Sequence, residues 1–268
     1  MVQSKTETPA QTPVQSCVPS VSGSFMAHAV ALRFLGGVFL NGPEAGGLVR
    51  ALREGLFADW PVARVGTATR QALEALCGLA GPASEVVYPG GDDARWSAVT
   101  RDLERDHAHL FIGPEIAVPP WESVWRDKDR LLFGESTFAV RDAYARFGLG
   151  ADRPGNEPDD HLGREFGFLG HLAGLAASGP EASELPESME SPASGPNPLD
   201  AARTFLDDHL LMWMPMVREA MQRAARTPHY AALALLAEGA ARDLHADIDA
   251  VRVGGAAPST DISRPSGA

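Results

Sequence analysis

An all-α fold is predicted by three features of this sequence. Apolar residues recur at steps of three and four, the stripe of a helix with one buried face, and Phe25, Ala29, Leu32, Leu35 and Phe39 are the first instance. No run alternates apolar and polar residues long enough to read as a strand. Clusters of glycine and proline separate the periodic segments, where they interrupt helices. With 44% apolar residues over 268 positions, the chain can bury a substantial core. No internal repeat is visible.

Each element follows in order. Residues 1–23 are rich in Ser, Thr, Pro and Gln and are expected to form a disordered tail. Ser24 is placed to cap the first helix, which Asn41-Gly42-Pro43 stops. A second helix follows Pro43 with Leu48, Leu52 and Leu56 on one face. A third runs from Thr67 to about Leu79, with Leu73, Leu76 and Leu79 inward, and ends near Gly81-Pro82. Asp92 and Asp93 open a fourth, whose apolar face carries Trp96, Val99, Leu103 and Leu110 until Gly113-Pro114 closes it.

Residues 115–120 are then extended, because proline pushes the residue before it out of the helical region. A helix from about Glu135 to Phe147 puts Phe138, Arg141 and Tyr144 on one face, and the next starts near Pro158. Residues 178–198, acidic and rich in Pro, Ser and Gly, read as an exposed loop. A long helix follows with Phe205, Leu206, Leu210, Trp213, Val217 and Met221 inward and a kink expected at Pro215. The last helix, His229 to about Ile248, turns Leu233, Leu236 and Leu244 inward, and residues 251–268 form a second disordered tail.

A net charge of −12 argues against a nucleic-acid partner and against anionic lipid surfaces, both of which call for a basic face. A basic peptide or protein suits it better. Cys17 and Cys77 make neither a disulfide framework nor a metal pair, as expected in a reducing compartment. The N-terminus lacks the pattern of a signal peptide, and no apolar segment is read as long enough to span a bilayer. The expectation is a soluble cytoplasmic protein without stable membrane insertion.

The chemistry concentrates between Pro119 and Glu165. In PPWESVW two prolines hold an extended backbone, and Trp121 and Trp125 share a face if a helical turn follows. Indoles supply large apolar area and one donor, which suits a groove that is wet at its edge; burial in the core is the competing reading. In NEPDDH, Asn156 is a good N-cap, Pro158 fits the first turn, and Glu157, Asp159 and Asp160 sit where a helix dipole is positive. That is either a well-capped helix or, with His161 added, a polar hook for an arginine. His161 and Glu165, four apart, have a metal-ligand spacing, so a metal-dependent helical enzyme is the alternative. A second such pair is missing, and there is no GxSxG, HExxH or GxxxxGK motif. The reading is a binding protein with no catalytic residues, metal or cofactor.

VPPWESVW, LLFGESTFAVRDAYARFGL and NEPDDHLGREFGFLGHLA resemble the TorD/DmsD family of redox-enzyme maturation chaperones, most closely the DmsD type. FLDDHLLMWMPMVREAMQRAARTPHYAALALLAEGA is similar to the family's C-terminal helices. The resemblance implies an all-α bundle of two sub-domains, an N-terminal part assigned to 24–155 and a C-terminal part assigned to 156–250, joined by a hinge that carries the E-P-x-D-H signature. It implies a cytoplasmic chaperone that binds the twin-arginine signal peptide of a molybdopterin-dependent, DMSO reductase-like oxidoreductase subunit. Such a chaperone holds the precursor for cofactor insertion before export. By motif match Trp125, Glu157, Pro158, Asp160 and His161 would line the peptide groove, with Trp121, Pro120 and Ser123 adjacent.

Overall fold

Helix α1 (Val21–Ala45) lies along α7 (Leu162–Ser178), and this pair is the most extensive helix contact in the computed structural model, which describes residues 21–80, 91–150, 157–178 and 196–255. The approach is close because glycines meet there. A Cβ on Gly36 would stand 2.7 Å from the Gly163 carbonyl oxygen, and one on Gly163 would stand 2.6 Å from that of Gly36. Around this pair come α2 (Leu48–Arg53), α3 (Thr67–Ala80), α4 (Gly91–Phe111), the short α5 (Glu122–Arg126) and α6 (Glu135–Ala145). After α7 follow α8 (Pro198–Phe205), a π-helical turn (Leu206–Leu210), α9 (Leu211–Ala224) and α10 (Pro228–Gly255).

The fold is all-α, with no strand among the described residues. Helix α10 packs on α3 and α9, and one hydrophobic core runs from Phe25 to Ile248. Its largest fully buried side chains include Trp213, Tyr144, Tyr230, Phe25 and Phe166. The stripe Phe25, Ala29, Leu32, Leu35, Phe39 is buried as its spacing predicts. Asn197 accepts from the Leu199 and Asp200 N–H groups at 2.8 and 3.3 Å and Pro198 takes the first helical position, a favourable start for α8.

Several boundaries move. Helix α1 begins at Val21, before Ser24, whose hydroxyl donates to Asp247 at 3.1 Å instead of capping. Asn41-Gly42-Pro43 does stop its regular run, as expected: Gly42 leaves the helical region with φ 82°, and a separate short turn runs on from Pro43 to Ala45. With a mean hydropathy of 1.4 over its best window, α1 is long and apolar enough to cross a bilayer, contrary to the sequence reading. Half of that window is buried inside the protein, as in a core helix. Leu56 and Phe138 face outward, so the apolar faces that include them are narrower than their spacing predicts. The last helix continues to Gly255, past the expected start of a tail. Helix α9 does contain Pro215, and the chain widens into the π turn just upstream. The expected tails at 1–20 and 256–268, and most of the 178–198 loop, lie outside the described residues.

Candidate functional site

The two motifs of the central stretch meet as backbone. Trp121 and His161 form an antiparallel bridge. Glu122 N–H donates to the Asp160 carbonyl at 3.0 Å and Leu162 N–H to that of Pro120 at 2.7 Å. Two prolines make this possible: the chain bends at 117–118, and the prolines keep it out of the helix until Trp121, extended, leads into α5. The segment is anchored behind by Val118 N–H on the Leu110 carbonyl at 2.9 Å. A clip thus joins the end of α4, the start of α5 and the start of α7.

The helix expected from Pro158 does not form there; α7 begins at Leu162. Residues 157–160 instead lead into a turn, and their acids serve other elements. Asp160 is wholly buried: one carboxylate oxygen accepts the Ser123 N–H at 2.8 Å, the other the Thr137 hydroxyl at 2.9 Å. It caps α5 from 37 residues away, where Trp121 at the N-cap position offers no side-chain acceptor. Asp159 binds Arg141 at 2.7 Å and Arg164 at 3.3 Å, while its carbonyl accepts the Tyr144 hydroxyl at 3.1 Å. Asn156, the expected N-cap, lies outside the described residues.

His161 is the cap of α7: its Nδ1 accepts the Gly163 N–H at 3.0 Å, which places the ring proton on Nε2. Burial first, then the positive charge of Arg164 and nearby His107, lower its pKa to about 3, so the ring is neutral. The Trp121 indole meets it edge-on at 6.3 Å. Glu157 accepts the Trp121 indole N–H at 2.5 Å, and Trp125 donates its own to the Pro119 carbonyl at 2.7 Å. The clip brings all eight sequence-predicted residues into one region. Trp121, Trp125 and Glu157 are half-buried, whereas Pro120, Ser123, Pro158, Asp160 and His161 are buried.

Behind the clip lies a charged cluster that sequence reasoning missed. Glu122 and Glu165 are both fully buried and face each other. Burial, then the Glu122 charge, hold the Glu165 pKa well above its ordinary value, so it keeps its proton, and its Oε1 is buried without a hydrogen-bond partner among the described residues. The Trp213 indole N–H donates to Glu165 at 3.1 Å. Arg126 pairs with Glu122 and reaches the Asp208 carbonyl at 2.5 Å, and His209 Nδ1 lies 2.9 Å from Glu122. The signal available was Glu122 itself, an acid between two tryptophans at a helix start.

This geometry disfavours the metal alternative. Glu165 is turned toward Trp213 and Glu122, and His161 Nδ1 is occupied by backbone. Among the described residues no three His, Cys, Asp or Glu side chains are grouped to hold an ion. What the clip offers a ligand is two half-exposed indoles and the edge of Glu157.

Residues 63–219 match the family described as nitrate reductase delta subunit. The chain is 30% identical over 214 residues to the Tat proofreading chaperone DmsD of Salmonella typhi, covering 78% of this chain and 84% of the relative. It is 34% identical over 140 residues to the Tat proofreading chaperone DmsD of Salmonella typhimurium, 50% of this chain and 58% of that one. To the chaperone protein TorD of Vibrio cholerae it is 31% identical over 137 residues, 51% of this chain and 57% of the relative.

Proposed function

This chain belongs to the TorD/DmsD family of redox-enzyme maturation chaperones, and from that premise we propose that it binds the twin-arginine signal peptide of a molybdopterin-dependent oxidoreductase subunit and holds the precursor until its cofactor is inserted. The observation that carries this reading is the bridge between Trp121 and His161. Beside it the Trp121 indole donates to Glu157 and Trp125 follows on the short helix α5, at the joint we assign between the helical parts 24–155 and 156–250.

In this reading the signature residues divide the work. Trp121 and Trp125 receive the apolar run of the leader, where burial of each Leu or Phe contributes roughly 1.5–3 kcal/mol before association costs. Glu157 adds an acid at their edge. Pro120, Ser123, Pro158, Asp160 and His161 hold those groups in place through the hydrogen bonds of the clip. The work is done in the cytoplasm, where the client folds before export.

Titration calorimetry of the whole chain with a synthetic leader, Ser-Arg-Arg followed by an apolar run, tests it. Binding at about micromolar or tighter, roughly −8 kcal/mol, is expected. Heat no different from that of a scrambled peptide would remove the proposal.

A further inference from the structure

Asp160 cannot be the group that meets a guanidinium from the leader. It has no exposure, and both of its oxygens are engaged by Ser123 and Thr137. Glu122 and Asp159 are likewise already paired with arginines. Acids without an ion pair or hydrogen bond among the described residues lie elsewhere, beside the clip. A cleft of about 440 Å³ opens between α6, α7 and α8, bounded by the π turn.

The cleft joins an acidic rim to the half-buried ring of Phe147, which rests on the buried rings of Phe168 and Phe205. Phe147, Phe168 and Phe205 form a ladder with ring centroids 5.8 and 5.0 Å apart. Asp142 on α6, Asp200 on α8 and Asp208 on the π turn stand around it, opposed by Arg146 alone among the charged lining residues other than His209. Asp200 is engaged by Arg252 at 2.5 Å. The carboxylates of Asp142 and Asp208 have no ion-pair or hydrogen-bond partner among the described residues. Among the described residues these two carboxylates stand unpaired at the mouth of a slot beside the half-buried Phe147 ring, surroundings in which an arginine both pairs its fork and lays its planar group on a ring.

The cleft is also wired to the clip. The Phe205 ring lies 4.9 Å from that of His209, and His209 Nδ1 contacts Glu122, the residue after Trp121. Arg126, from the same short helix, reaches the carbonyl of Asp208. A peptide with its cationic end in the cleft is therefore led toward the indoles.

Resting on the function proposed above, we infer that the arginine pair of the leader is held in the α6/α7/α8 cleft by Asp142 and Asp208 beside the Phe147 ring, while its apolar run lies on Trp121 and Trp125. The signature motif then supports the recognition surface, and the cationic specificity resides in residues outside the motif.

The test compares the whole chain with its Asp142→Asn/Asp208→Asn double variant by calorimetry. The probes are the Ser-Arg-Arg leader and the same peptide with both arginines changed to glutamine. The double variant should bind the arginine leader about tenfold or more weakly, yet change affinity for the glutamine leader by less than about twofold. Equal affinity of variant and parent for the arginine leader overturns the cleft and leaves the chaperone reading standing. No binding by the parent chain removes both. A benzophenone beside the arginine pair supplies a readout without substitutions: crosslinks should fall on α6 or α8, and crosslinks confined to 119–125 and 157–161 overturn the inference.

Discussion

The carboxylate of Asp160 accepts the backbone N–H of Ser123 at 2.8 Å, so an acid just ahead of α7 caps a helix in another part of the fold. Its second oxygen holds the Thr137 hydroxyl, which ties in α6 as well. Asp160→Ala leaves two buried donors unpaired and α5 uncapped, at a cost of about 1–3 kcal/mol. A melting temperature several degrees below the parent is expected by scanning calorimetry. Leader affinity should fall in parallel, because Trp121 and Trp125 lose their seating. Asp160→Asn retains one acceptor oxygen and should recover part of both. An alanine variant that melts with the parent would remove the capping role.

Trp125 should behave in the opposite sense. Its ring is half-buried and packs on the core from outside, with its N–H on the Pro119 carbonyl. Trp125→Ala is expected to weaken leader binding by about 2 kcal/mol or more, as an aromatic anchor does, with a smaller loss of stability. Titration and thermal melting on the same preparation separate the two effects. A collapsed melting temperature with leader affinity intact in the folded fraction would make Trp125 a core residue.

How far the sequence discloses the site can be followed in individual residues. The buried stripes of α1 and α4 and the glycine-proline breaks depend on local spacing, so periodicity reveals them. PPWESVW and NEPDDH stand out because their residue types are costly to place by chance. The roles within them are not legible, because each depends on a partner remote in the chain. Asp160 caps α5, not its own helix, and His161 caps α7 with a ring nitrogen, an acceptor that ordinary capping rules do not rank. The Glu122 charge raises the Glu165 pKa although the two lie far apart in sequence, and only tertiary packing brings them together. The glycines at 163, 167, 170 and 174 do carry a readable signal, a small-residue face at helical spacing that marks where another helix backbone can come close.

Stability should fall on both sides of a pH optimum, for two different reasons. On the acid side, the unfolded chain protonates His161 near its ordinary 6.5, while the folded chain keeps it neutral down to about 3. The unfolded state binds more protons in that window, so stability is lost as pH falls, by up to about 1.4 kcal/mol per pH unit for one such histidine. His107, held at about 4 by burial, adds to the same limb. His161→Asn supplies a capping acceptor that does not titrate and should flatten it.

On the alkaline side Glu165 acts. Its folded pKa lies well above the ordinary 4.5, so from there upward the native state holds a proton that the unfolded chain has released. Stability therefore declines as pH rises through this range, and Glu165→Gln, neutral and of the same shape, should remove that slope. Urea midpoints measured across about pH 4 to 9 check both limbs. Slopes shared by parent and variants would assign the pH dependence to other groups.

The backbone contact between α1 and α7 gives the sharpest stability prediction. Gly163→Ala would place a Cβ 2.6 Å from the Gly36 carbonyl oxygen, 2.8 Å from the Leu40 amide nitrogen and 2.9 Å from the Leu40 Cβ. Two of these are backbone atoms within a helix, which cannot rotate aside as a side chain would. Helices α1 and α7 must separate, and overpacking of this kind costs about 1–3 kcal/mol. The neighbouring Gly167 has nothing within 4 Å of its Cβ position. Gly167→Ala should therefore be neutral or slightly stabilising, since alanine is the better helix former by roughly 1 kcal/mol. The two variants add one methyl group each and sit one helical turn apart, and alanine is the better helix former at both, so only the contact with α1 lowers the midpoint. Thermal melting should lower the midpoint for Gly163→Ala and hold or raise it for Gly167→Ala; equal shifts would mean that α1 and α7 are not in backbone contact at Gly36. Because His161 caps α7, the same separation pulls on the bridge to Trp121, and Gly163→Ala should also weaken leader binding at temperatures where it remains folded.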